Sequence, residues 1–84
     1  MLHIKSVEHI AGHKLWVSFD DGESGLVDLA QSLQGPVFEA LKDVDFFSRV
    51  AVDPELETLV WPNGADFAPE YIKTLCEPTT PAAG

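Results

Sequence analysis

Lys14-Leu15-Trp16-Val17-Ser18-Phe19-Asp20-Asp21-Gly22-Glu23-Ser24-Gly25-Leu26-Val27-Asp28-Leu29 reads as a β-hairpin. Leu15, Val17 and Phe19 alternate with Lys14, Trp16 and Ser18, the period of two that sends alternate side chains of a strand to opposite faces. Asp20-Asp21-Gly22 supplies residues that tolerate a positive φ, as a tight reversal requires. Residues 25–29 then resume the strand, with Val27 and Leu29 on the face opposite Leu26 and Asp28.

On the N-terminal side of this hairpin, residues 4–10 form an edge-like first strand that ends at the turn Ala11-Gly12-His13. On the other side Gly35-Pro36 opens a helical stretch, because a proline in the first turn lacks only an N–H that had no intrahelical partner. Val37, Phe38, Leu41 and Val44 recur at helical spacing and are expected to pack on the sheet. A second short turn through Asp45, Phe46 and Phe47 follows, capped by Asp43 or Asp45. Residues 49–53 and 58–61 make a second hairpin around Pro54-Glu55-Leu56-Glu57. Trp61-Pro62-Asn63-Gly64 ends it, since proline cannot donate to a ladder and Asn-Gly favours a tight turn. Pro69 starts a last helix to about Cys76, with Tyr71, Ile72, Leu75 and Cys76 along one face. The expected fold is α+β: a small, mostly antiparallel sheet of two hairpins and about five strands, packed with two short helices in the order β-β-β-α-β-β-α. One domain covers residues 1–76, and residues 77–84, without apolar periodicity, make a flexible C-terminal tail.

The chain of 84 residues supports one hydrophobic core, and 45% hydrophobic residues is enough to fold it. So small a core gains from burial against a protein partner or a copy of itself. Fourteen acidic residues against five basic ones give a net charge of −9, which opposes phosphate backbones; no direct nucleic-acid binding by this chain alone is expected. Cys76 is the single cysteine, so neither an internal disulfide nor a thiolate metal cluster can form, and a reducing, cytoplasmic setting fits. Apolar runs are short throughout, and no signal peptide, membrane span or membrane partner is expected.

His3, His9 and His13 lack the spacing of a metal site, and Asp20, Asp21, Glu23 and Asp28 lack a calcium-loop pattern. There is no glycine-rich phosphate loop and no Ser–His–Asp or Cys–His arrangement, so no catalytic residue, metal ligand or cofactor is assigned. The most individual stretch is Trp61-Pro62-Asn63-Gly64-Ala65-Asp66-Phe67-Ala68-Pro69-Glu70. In a structural reading Trp61 plugs the core, Asn63-Gly64 reverses the chain and Asp66 bonds backbone donors before the helix. In a functional reading Trp61, Asn63 and Asp66 ring a pocket or a partner contact. Trp16, on the polar face of its strand, is the better candidate for an interface anchor.

Val17-Ser18-Phe19-Asp20-Asp21-Gly22, Gly25-Leu26-Val27-Asp28-Leu29, Gly35-Pro36-Val37-Phe38, then Leu41, Phe47, Val50, Val52-Asp53 and Thr58-Leu59-Val60-Trp61-Pro62-Asn63-Gly64-Ala65-Asp66 with Pro69-Glu70 resemble the bacterial domain-of-unknown-function family numbered 2442. The resemblance covers nearly the whole chain before the tail and departs from the family pattern at Tyr71-Ile72. It implies a small α+β fold that in some relatives precedes a helix-turn-helix domain, and a gene neighbourhood with another small protein suggestive of antitoxin-like or regulatory pairing. This chain ends before a helix-turn-helix could begin, so DNA binding is not carried over, and the family supplies no catalytic residues. The expected function is a non-enzymatic protein-interaction module, partnered or self-associating. The alternative is a small-molecule-binding or enzymatic domain with an oligomer-interface pocket near Trp16, Trp61, Asn63 and Asp66.

Overall fold

The computed structural model describes residues 1–78. The predicted hairpin forms the middle of an antiparallel sheet: β2 (Lys14–Phe19) pairs with β3 (Ser24–Asp28) so that Leu15 faces Val27 and Trp16 faces Leu26. β1 (Ile4–Ala11) lies on the other side of β2, with irregularities between Ile4 and Ser6 and between His9 and Ala11. At each, two residues of β1 oppose one of β2, the arrangement of a bulge, which bends an edge strand.

The helical stretch after Gly35 is a 3-10 helix over Pro36–Lys42, followed by a short α1 (Val44–Phe47). Its period of three rather than 3.6 turns Phe38 and Leu41 inward and leaves Val37 51% exposed, which corrects the expected apolar stripe. Val44, past the break at Asp43, is likewise exposed. Asp43 is the residue that caps α1, its side chain accepting from the Asp45 N–H.

The second hairpin is β4 (Ala51–Val52) with β5 (Leu59–Val60), and the chain then adds β6 (Asp66–Phe67), which the sequence reading missed. The turn of residues 61–65 folds the chain back onto β5, and a strand of two residues is too short to show alternation. β6 also removes Asp66 from the expected capping role: it pairs with Val60, and Ala68 stands at the N-cap of α2 (Pro69–Leu75) without a side-chain bond. Pro69 is buried at the first turn of that helix. Beyond Cys76, β7 (Glu77–Pro78) pairs with β3 at Gly25 and Leu26, the edge of the sheet to which the chain could add. The remainder of the expected tail, 79–84, lies outside the described residues.

The first sheet therefore runs β1-β2-β3-β7 and the second β4-β5-β6. One core joins them: Ile4, Leu15, Val17, Phe19 and Val27 from the first sheet meet Leu41, Phe47, Leu59, Trp61 and Ile72. Each fully buried side chain of this size contributes about 1.5–3 kcal/mol. Both α-helices contribute to this one core, so they cover the same face of the first sheet. Trp16 and Leu26 are outside it, on the face that no helix among the described residues covers.

Candidate functional site

The four residues singled out in the sequence do not converge on one site. Trp61 is 4% exposed, its indole N–H donates to the Phe47 carbonyl at 2.9 Å, and its ring meets Phe47 and Phe67 at centroid separations of 5.6 and 5.8 Å. Such a tryptophan is a core plug with its polar atom satisfied. Asn63 is exposed yet fully used: Nδ2 donates to the Val37 carbonyl at 2.9 Å, and Oδ1 accepts from the Ala65 N–H at 3.1 Å. It thereby ties the turn to the 3-10 segment. Gly64, at φ 90°, donates to the Trp61 carbonyl and closes the reversal, a conformation that glycine adopts without a Cβ penalty. Asp66 is exposed and its carboxylate has no partner among the described residues.

Trp16 is on the far side of the first sheet. It is half-buried between its cross-strand neighbours Glu8 and Leu26, and its indole N–H has no partner among the described residues. Thr58 Oγ1 is the buried side-chain polar atom left without a hydrogen bond among those residues, so Trp16 Nε1 meets solvent instead. Leu26 is also half-buried, and Ile10, the extra residue at the second bulge, is 49% exposed. A tryptophan with an apolar body on a sheet and a wet N–H is the amphipathic kind of residue that anchors interfaces.

Several titratable groups are engaged in holding the fold. Lys73 on α2 bridges Asp21 and Glu23 in the β2–β3 turn and lies 4.7 Å from the centroid of the Phe19 ring. The hydrogen bond from Lys73 holds the Asp21 carboxyl below its usual range, and the bond to Asp21 in turn raises the Lys73 ammonium. Asp20 accepts from the His3 backbone N–H at 3.0 Å and from its Nδ1 at 2.8 Å; the backbone bond is the larger cause of its lowered pKa. Asp53 is lowered by the N–H groups of Leu56 and Glu55, which it accepts within its turn. His9 Nε2 contacts the Gly12 carbonyl, and His13 Nε2 the carbonyls of Leu41 and Lys42, so the three histidines are each tied to different partners. Cys76 packs half-buried against the core. Among the described residues no helix is long and apolar enough to cross a membrane.

What the arrangement offers is therefore a sheet face, legible from the alternation that put Trp16 opposite Leu15 and Val17. Its companion Leu26 carried no individual signal; only the register unites the pair. Comparison with known proteins gives a match over residues 4–78 to the family described as "Protein of unknown function (DUF2442)". No curated protein matches the chain. Among solved structures, a Nitrosomonas europaea ATCC 19718 protein described as a "Putative DNA Binding Protein" has a similar fold, with a TM-score of 0.79 at 21% identity. The match covers 90% of this chain and 49% of that one, so this chain spans about half its length. That likeness overturns the exclusion of direct nucleic-acid binding by this chain alone. The exclusion rested on total charge, whereas contact with a phosphate backbone depends on where cations and backbone donors are locally placed.

Proposed function

The chain belongs to the DUF2442 family, and we propose that it is a non-enzymatic protein-interaction module acting in the cytoplasm, an antitoxin-like or regulatory component that docks through the open face of its first sheet. The observation that carries this reading is the Trp16–Leu26 cross-strand pair on a face that neither helix covers. An aromatic anchor beside an aliphatic one, left half-exposed while thirteen other apolar residues pack into the core, is how interface centres are built. A regulatory role agrees with the proportions of the similar Nitrosomonas europaea protein, in which this fold accounts for about half of a chain described as DNA binding. The pocket alternative loses support from the opposed placement of Trp16 and Trp61.

The test is affinity capture from the native host with the wild-type chain and with Trp16→Ser, beside fluorescence anisotropy with a labelled DNA duplex. A stoichiometric protein, another or the chain itself, held by wild type and lost with Trp16→Ser supports the reading. Association that ignores Trp16, or saturable DNA binding that leaves protein association absent, counts against it.

A further inference from the structure

We propose that the occupant of this open face is a second copy of the chain, packed sheet against sheet about a two-fold axis. The inference rests on the reading of that face as a docking surface and names its partner.

The first observation is charge placement. Across the sheet the charged residues of this face and its β1 margin are Lys5, Glu8, Lys14, Asp28 and Glu77, with Lys14 directly across from Asp28 and Glu77 at the register position across from Leu26. Two cations stand against three carboxylates, a net of −1, although the whole chain carries −9. The acidic excess thus lies mostly elsewhere on the molecule. A face meant for a strongly basic partner would concentrate that excess; a face that meets its own copy must avoid it, because a two-fold contact sets every patch against itself.

The second observation is shape. Successive rows across the strands read Ser6–Ser18–Ser24 and then Glu8–Trp16–Leu26. The serine row is uncharged and small, and it lies immediately beside the bulky one. With the axis between the two rows, Trp16 and Leu26 of each copy lie over the serine shelf of the other. Stacked sheets sit about 10 Å apart, a gap that large side chains fill when small ones face them. Burying the apolar pair also supplies the additional core that a domain of this size lacks.

Salt separates this occupant from others. Two copies with a nearly charge-balanced contact face and acidic flanks repel at long range, so screening tightens the dimer. A basic protein or any nucleic-acid complex that depends on charge attraction behaves oppositely.

The experiment is sedimentation velocity on the full chain across protein concentration and salt, for wild type, Trp16→Ser, Lys14→Glu and, as a control, Leu56→Ser in the distant 53–58 turn. Far-UV circular dichroism and thermal melting establish that each variant is folded. The expected result is a wild-type dimer that strengthens with salt and is lost in Trp16→Ser. Lys14→Glu should weaken it by about tenfold at low salt, and Leu56→Ser should leave it unchanged. A wild-type chain that stays monomeric at every concentration, or a dimer that survives Trp16→Ser, overturns the second copy as occupant. If that monomer still loses a different captured protein through Trp16→Ser, the docking face itself stands.

Discussion

Trp61 and Trp16 are the same residue in opposite circumstances. Trp61 is enclosed by Phe47 and Phe67 with its N–H given to a backbone carbonyl, whereas Trp16 lies half-exposed on a sheet face with its N–H in solvent. The first has every interaction it can make inside the chain and has none left to offer. The second has apolar area and a donor still unspent. A prominent motif can therefore be wholly structural, and the residue with less local context can be the one that meets the outside.

The sharpest way to break this contrast is Trp61→Ala, which should cost about 3–5 kcal/mol, as large aromatic truncations in cores do, and which urea denaturation would read. A loss below about 1 kcal/mol would show that Trp61 is not the plug described here. Asn63→Ala should cost about 1–2 kcal/mol, because it leaves the Val37 carbonyl and the Ala65 N–H without their partner. Thermal melting with and without an added association partner would show whether that loss is confined to stability.

Acid gives the next effect. Asp20, Asp21 and Asp53 all have folded-state pKa values lowered from 3.8, so their contribution to stability is present above that value and lost as pH falls through the lowered ones. Lys73, raised from 10.5, contributes below that value and loses its contribution as pH rises through the raised one. The contribution of these four groups should therefore be level across the intervening window and fall at both ends. Lys73→Met should remove the alkaline fall and reduce the acid one, as followed by circular dichroism against pH. Smallest of all is the effect of Trp16→Ser on the stability of the dissociated chain, within about 0.5 kcal/mol, since Trp16 is outside the core.

The first sheet was legible because Leu15, Val17 and Phe19 alternate without interruption and Asp-Asp-Gly marks the turn, so local pattern and tertiary burial agree. The second sheet was only half legible. Its strands are two residues each, held by turn bonds such as Trp61 N–H to the Ala65 carbonyl, and so short a strand has no period to detect. The 3-10 geometry of Pro36–Lys42 was hidden for a related reason: Phe38 and Leu41 fit a period of three as well as one of 3.6. Trp16 could be placed on the outer face from alternation alone. Its row with Leu26 and the serine row beside it depend on cross-strand register, which the sequence does not spell out.

The most direct measurement is a paired one: thermal midpoint and protein association, each determined for Trp16→Ser and Trp61→Phe beside wild type. With midpoints read at a protein concentration low enough to dissociate wild type, a crossed result is expected: Trp16→Ser melts like wild type and loses association, while Trp61→Phe melts lower and keeps it. Trp16→Ser associating like wild type, or melting as low as Trp61→Phe, would contradict it.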